Sequence, residues 1–337
     1  MKTNLYNKIE QLPQVAQLLQ QGQVVAIPTE TVYGLAANAL DPQAVRKIFA
    51  AKNRPADNPL IVHISKWEEL TPLVATIPPA AQALADAFWP GPLTMVLPRS
   101  SAVPDVVTAG GNTVAVRLPA HPMARAIIAQ CGLPLAAPSA NRSGSPSPTT
   151  AAHVMADMDG IIPAVFDGGE CDVGVESTVV SLTGERPRLL RPGGITVEQL
   201  EQVLGPIDID PSITTNMHLD QVSSPGMKYK HYAPKAKVTL LHGSSLAFAR
   251  FVNQQADGVA LCFAEDAALV NKPTLCMGRE DDQKEIAHNL FALLRKADEE
   301  GITRIFAHCP KREGLGLAVY NRLIRAAAFD ERELEAQ

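Results

Sequence analysis

No run of apolar residues in this chain approaches the ~18 that would span a membrane as a helix. The N-terminus, Met1-Lys2-Thr3-Asn4-Leu5-Tyr6-Asn7-Lys8, lacks the apolar core of a secretory signal. Both absences place the expected protein in the cytoplasm. Cysteine is scarce: Cys131, Cys171, Cys262, Cys276 and Cys309 are odd in number and widely spaced, with no CxxC. They read as free, mostly buried thiols in a reducing compartment. No close Cys/His cluster has zinc spacing, and HExxH is missing, so a zinc hydrolase is disfavoured. The chain has no Gly-Lys pair, which excludes a Walker A loop. Gly314-Leu315-Gly316 lacks the third glycine of a dinucleotide fingerprint, and GxSxG is absent. Charged residues are only 19% of the 337, with 30 Lys plus Arg against 35 Asp plus Glu, a net charge of −5. That balance argues against general polyanion binding while leaving room for a local basic pocket.

What is present is enough apolar material, 46%, to bury a sizeable core, and enough length for two domains. Proline divides the chain. Residues 1–210 hold 22 of the 27 prolines; residues 211–337 hold five. The first part punctuates short β-rich runs with Pro and Gly. It reads as an α/β domain over 1–210, with a large twisted mixed sheet and flanking helices. Strands are expected at Val24–Ile27, Leu60–Ile64, Thr94–Leu97, Thr113–Leu118, Leu135–Ala137, Ala164–Phe166, Ser177–Leu182 and Arg188–Leu190. Helices are expected near 11–21, 42–52, 79–88, 121–131, 149–158 and 196–204, the last with the capping box Thr196-Val197-Glu198-Gln199. Residues 211–236 carry no period and read as a linker or lid. Residues 237–337 alternate strand and helix as a small Rossmann-like parallel domain, with Gly301 capping the helix of 282–300.

Polar residues then cluster where a core strand would not carry them. Pro28-Thr29-Glu30-Thr31-Val32-Tyr33-Gly34 follows a buried-looking strand, at the end where α/β folds bind ligands. Lys52-Asn53-Arg54-Pro55-Ala56-Asp57-Asn58-Pro59 is a cationic loop stiffened by proline, suited to phosphate, and His63 ends the strand after it. In Thr113-Val114-Ala115-Val116-Arg117 the period of two puts Arg117 on a small-residue face. An arginine there needs an anion, either a ligand or an internal Asp/Glu partner. Ala137-Pro138-Ser139-Ala140-Asn141-Arg142-Ser143-Gly144-Ser145-Pro146-Ser147 combines small residues with hydroxyls. Taken singly, each also reads as an ordinary turn, solvated loop or internal ion pair.

Taken in order, PTETVYGLAANA, KNRPADNPLIVHI, WPGPLTMVL, VAVRLPAHP, APSANRSGSPSPT, ESTVV and RPGGIT resemble the YrdC-like threonylcarbamoyl-AMP synthases. SPGMKYKHYAPKA resembles the linker of their two-domain type. The resemblance implies an enzyme that makes L-threonylcarbamoyl-AMP and pyrophosphate from L-threonine, bicarbonate (or CO2) and ATP with Mg2+. It also implies downstream partners that transfer the threonylcarbamoyl group to the tRNA adenosine next to the anticodon, and a weak tRNA contact. Carried across by motif, Thr31, His63, Arg117, Ala137 and Ser177 correspond to threonine-binding positions. Arg54, Asn58, Thr113, Ser139, Ser147, Arg191 and Tyr232 correspond to ATP contacts. Lys52, Arg54, Ser139 and Asn141 are the signature positions expected to serve catalysis, and no resident metal ligand is implied. Two alternatives stand beside this reading. One is an RNA-binding module without chemistry, using Lys52, Arg54, Arg142 and Arg191. The other is a carbamoyl transferase like the related domain of hydrogenase-maturation proteins.

Overall fold

The computed structural model describes residues 2–215 and 232–335. The expected linker or lid therefore falls largely outside the described residues; of its ends, Pro211–Ile213 forms a 3-10 turn and Tyr232 is described below. The chain forms two compact units. One comprises Met1–Ser143, Ser147–Asp172 and Glu176–Lys228; the other comprises Gly144–Pro146, Val173–Val175 and Tyr229–Gln337. Two three-residue loop pieces thus group with the second unit, beside the expected division into 1–210, a linker over 211–236, and 237–337.

In the first unit the chain runs β1 (Asn4–Tyr6), α1 (Leu12–Gln20), β2 (Val25–Ile27), β3 (Gly34–Asn38), α2 (Pro42–Lys52), β4 (Ile61–His63), α3 (Pro79–Phe88), β5 (Leu93–Pro98), α4 (Asp105–Thr108) and β6 (Thr113–Arg117). It continues through α5 (Pro122–Cys131), β7 (Leu135–Ala136), α6 (Ala151–Met158), β8 (Ala164–Phe166), β9 (Thr178–Ser181), β10 (Arg188–Arg191), α7 (Val197–Leu204) and β11 (Asp208–Ile209). The eleven strands form one mixed sheet in the order β1-β8-β2-β3-β7-β4-β6-β5-β9-β10-β11. Helix α1 buries Leu12, Val15, Ala16 and Leu19, the i, i+3, i+4, i+7 stripe of an amphipathic helix. That stripe joins Ile127, Ile128 and Cys131 of α5 and Val25, Ile27, Leu135 and Phe166 of the sheet in one core. Each large side chain so buried contributes roughly 1.5–3 kcal/mol. A second cluster, Ile61, Val96, Ala115, Val179 and Leu190, lies on strands β4, β6, β5, β9 and β10, beside the polar groups described next.

The second unit contains β12 (Lys237–His242), α8 (Ser245–Asn253), β13 (Val259–Cys262), α9 (Ala264–Ala267), β14 (Thr274–Cys276), α10 (Gln283–Glu299), β15 (Arg304–His308), α11 (Gly316–Ala326) and β16 (Glu331–Glu333). Its five strands are all parallel, in the order β14-β13-β15-β12-β16. Two helix ends follow their sequence signals. Thr196 and Gln199 form a reciprocal capping box on α7, and Gly301 adopts φ 67° just past α10. All five cysteines are free; Cys131, Cys171 and Cys262 are buried, while Cys276 is exposed. Among the described residues no helix is long and apolar enough to cross a membrane.

Candidate active site

The site begins with strand register. Strands β4, β6 and β5 are neighbours, and His63 pairs with Arg117 while Arg117 pairs with Thr94. Side chains directly opposite on adjacent strands share a face. Arg117, His63 and Thr94 therefore form a polar row next to the apolar row Ile61, Ala115, Val96, which precedes it on the same face. Thr113 starts that strand four residues earlier, on Arg117's face and about 13 Å along it.

The loop after β2 folds over this row. Thr29 Oγ1 accepts from the backbone amides of Thr31 and Val32 and lies 2.9 Å from Thr31 Oγ1, a turn built by a hydroxyl. Arg117 Nη1 donates to Thr31 Oγ1 at 2.9 Å and its Nε donates to the Gly91 carbonyl at 3.3 Å. Its Nη2 stands 2.6 Å from Glu30 Oε1, both side chains almost wholly buried. The internal carboxylate anticipated as one partner for Arg117 is thus present. That contact lacks hydrogen-bond alignment, and neither Nη2 nor Oε1 has another partner. Burial pushes the Glu30 carboxyl up, but the Arg117 charge and backbone hydrogen bonds, including one from Ala120, outweigh it. The net result lies below the ordinary carboxylate value. Burial, reinforced by the Arg117 charge, drives His63 down to about 3, so this imidazole is neutral at working pH. His63 Nδ1 lies 3.2 Å from the Ile61 carbonyl oxygen, which makes Nδ1 the donor.

A second segment is laid beside the first by main-chain bonds. Leu35 N donates to Pro138 O at 2.7 Å, Ala140 N donates to Tyr33 O at 2.8 Å, and Gly34 bridges Ser139. Gly34 eases this approach, because an added Cβ would crowd that of Ala137 at 3.2 Å. The amide of Ala137 donates to Ile61 O. Helix α2 delivers the ammonium that fixes this loop. Its N-cap is Asp41, it has Pro42 at its start, and it ends on Asn53 in the left-handed region at φ 50°. The last helical residue, Lys52, is buried, and its Nζ donates to the carbonyls of Ser139 and, at 2.7 Å, Asn141. The two signature groups of the sequence are therefore in direct contact.

Beyond Thr94 the polar row continues. Thr94 Oγ1 lies 2.8 Å from Ser177 Oγ, and Arg191 donates to Ser177 O at 3.0 Å and to Ser177 Oγ at 3.1 Å. Ser147 Oγ donates to the buried Glu176 carboxylate. The Arg-Pro-Gly turn at 191–193 lies directly on this backbone. A Cβ at Gly193 would stand 2.3 Å from Thr178 N and 2.4 Å from Glu176 O. Gly193→Ala should therefore displace the Ser177–Arg191 pair and lower the melting temperature by several degrees, from an overpacking cost of about 1–3 kcal/mol. An unchanged melting curve would contradict that packing. On the cationic loop, Arg54 Nη2 donates to Asn58 O at 3.2 Å. Asn58 is completely buried, and neither its amide oxygen nor its nitrogen has a hydrogen-bond partner. Tyr232 lies in the second unit, at φ 64°, with its ring 5.4 Å from that of Phe291 and Arg322 over it at 5.6 Å.

The fold thus joins Thr31 to Arg117, sets His63 beside it, connects Ser177 to Arg191, and ties Lys52 to Ser139 and Asn141. Motif reading passed over Glu30, Thr94 and Glu176 as site residues. Thr94 interrupts an apolar strand, and Glu30 and Glu176 are buried acids among small hydroxyl residues, which was the available signal.

Residues 17–193 match the family described as "Telomere recombination", and residues 195–328 match the "Threonylcarbamoyl-AMP synthase, C-terminal domain". A threonylcarbamoyl-AMP synthase of Pyrococcus abyssi is 47% identical over 319 residues, 93% of each chain. One of Bacillus subtilis is 46% identical over 323 residues, covering 94% of this chain and 93% of that one. The crystal structure of P. abyssi Sua5 complexed with L-threonine superposes with a TM-score of 0.91 at 44% identity, over 99% of this chain and all of that one, 100%. With nearly the whole length shared at such identity, and with both halves matched by their own families, this chain belongs to the two-domain threonylcarbamoyl-AMP synthases.

Proposed function

We propose that the described site condenses L-threonine, bicarbonate or CO2, and ATP into L-threonylcarbamoyl-AMP, releasing pyrophosphate. Threonine's amine adds to CO2 and loses a proton, giving a carbamate. A carbamate oxygen then attacks the α-phosphorus of ATP, and pyrophosphate leaves with the electrons of the broken P–O bond. No protein nucleophile is needed. The protein has to align two anions and stabilise charge growing on phosphate oxygens.

The observation that carries this reading is the buried Arg117 guanidinium, held by Thr31 and Gly91 with hydrogen-bonding capacity left on Nη2. Its planar fork suits the threonine carboxylate. Thr31, the neutral His63, Ala137 and Ser177 complete the amino-acid end. Arg54, Asn58, Thr113, Ser139, Ser147 and Arg191 are assigned to the nucleotide. The unpartnered Asn58 amide supports that, because a fully buried amide bonded to nothing is rare in folded proteins. Lys52 is assigned to holding the Ser139–Asn141 loop in place, and Ser139 and Asn141 to presenting it to phosphate. Among the described residues no three His, Cys, Asp or Glu side chains gather to hold a metal. Mg2+ is assigned to the phosphates of ATP, as part of the substrate. The product is labile, so its use is assigned to a cytoplasmic tRNA-modifying partner that takes the threonylcarbamoyl group.

The test is pyrophosphate release by the full chain with Mg-ATP, bicarbonate and threonine. Release should require threonine, and mass spectrometry should find the threonylcarbamoyl adenylate. Release that ignores threonine overturns the reading.

A further inference from the structure

Glu30 is a buried charge that the roles above leave unused. Only 5% of it is exposed, it immediately precedes Thr31, and it lies against the guanidinium assigned to the substrate carboxylate. Its two oxygens differ. Oε2 faces the backbone, where the amide of His121 at the start of α5 donates at 3.4 Å. Oε1 faces Arg117 Nη2 at 2.6 Å, and that pair is close but not aligned as a hydrogen bond. One buried donor atom and one buried acceptor atom, side by side, each keep unused bonding capacity. An oriented ion pair serving only the fold would be expected to satisfy both.

The ligand that satisfies both at once carries an acceptor and a donor the same short distance apart. The α-carboxylate and α-ammonium of an amino acid are such a pair, of opposite charges in the right order. We propose that Glu30 Oε1 receives the α-amino group of threonine while Arg117 receives its carboxylate, so that together they recognise the zwitterionic head. The inference rests on the synthase reading above. Recognition is assigned here, and proton abstraction is not: a carboxyl held below its ordinary value by Arg117 is a weak base toward an ammonium. The arrangement selects α-amino acids over hydroxy or simple carboxylic acids. For those, Arg117 would still receive the carboxylate, but Glu30 Oε1 would have no ammonium to receive and would lie beside a second anion.

Calorimetric titration of the full chain tests this with three ligands: L-threonine, 3-hydroxybutanoate (threonine without its amino group) and threoninol (threonine without its carboxylate). Wild type should bind threonine and prefer it to 3-hydroxybutanoate by about 100-fold or more, as expected for a desolvated charge-assisted bond. Glu30→Gln keeps the shape and removes the charge. It should weaken threonine and threoninol by about 10- to 100-fold and leave 3-hydroxybutanoate unchanged or tighter. Wild-type binding of threonine and 3-hydroxybutanoate with equal affinity overturns the assignment without any variant, so a poorly folded E30Q cannot rescue it. Uniform weakening of all three ligands by E30Q, in protein that still binds ATP normally, also overturns it. Wild type that binds no threonine at all overturns the synthase reading itself, a result distinct from either of these.

Discussion

Arg117→Ala should raise the KM for threonine by about 100-fold or more, from the loss of two charge-assisted bonds of roughly 1.5–3 kcal/mol each, while the KM for ATP changes little. Initial rates of pyrophosphate release, with each substrate varied in turn, provide the comparison. Equal effects on both would remove the carboxylate role from Arg117. Lysine is not a conservative control, since it lacks the planar fork that reaches Thr31 and the Gly91 carbonyl together. The substitution also strands Glu30, and this has a separate signature. In wild type the Glu30 carboxyl lies below its ordinary 4.5, so its contribution to stability is present above that value and is lost as pH falls through the folded one. In Arg117→Ala, burial, the largest influence, is opposed only by backbone hydrogen bonds and raises the carboxyl. The variant should then lose stability as pH rises and recover it as Glu30 takes a proton. Urea midpoints for the two proteins should converge on acidification from pH 8 to 5, and a constant gap would deny that Glu30 is charged in the folded chain.

These two side chains also mark what the sequence makes legible. The period of two in Thr113–Arg117 places Arg117 on a face with Ala115, and the register confirms the alternation. Helix α2 is bounded by Asp41-Pro42 at one end and a left-handed Asn53 at the other, and both ends were readable. Strand β3, Gly-Leu-Ala-Ala-Asn, was not. Its residues have little β preference, and it is a strand because β2 and β7 hydrogen-bond to it on either side. Strand β16, Glu-Arg-Glu, is wholly exposed at a sheet edge, where charge blunts further pairing, and so shows no apolar alternation. The site's hidden members are of the same kind. Glu30 and Thr94 become visible as site residues only when pairing of β5 with β6, and the hydroxyl turn at Thr29, bring them to Arg117. Motifs fix which residues are near in sequence; register across the sheet decides which charges meet.

The second unit contains its own buried pair, and its removal should have the largest effect on stability. His308, at the end of β15, places Nδ1 2.7 Å from Asp266 Oδ2 and Nε2 3.0 Å from the Gly243 carbonyl just past β12. Asp266, in α9, also accepts from Phe263 N at 2.9 Å just past β13. The imidazole stacks on Phe248 at 4.5 Å and 6° and lies 4.9 Å from Phe263. Three adjacent strand ends are therefore fastened through one ring. Burial pushes the His308 ring down, but Asp266 and Gly243 outweigh it and raise the net value. Burial likewise pushes Asp266 up, and His308 brings it below 3.8. Both ring nitrogens face acceptors, consistent with an imidazolium. Breaking such a pair by removing one member costs about 3–5 kcal/mol, and the two removals should differ. In Asp266→Leu the ring can shed its proton and keep the Gly243 bond; in His308→Phe the carboxylate loses the His308 cation in a buried site and the Gly243 link is lost as well. His308→Phe should be the more damaging, read as faster hydrogen exchange at the ends of β12, β13 and β15. The pH dependence has two edges. Stability from a raised histidine is complete below its unfolded 6.5 and is lost as pH rises through the folded value, and stability from a lowered aspartate is complete above 3.8 and is lost on acidification through its folded value. The gap between wild type and Asp266→Leu should accordingly be widest near pH 5–6 and narrow on the alkaline side. A gap that stays flat to pH 9 would mean that the ring is neutral in the folded unit, and that Asp266 is held by backbone amides rather than by charge.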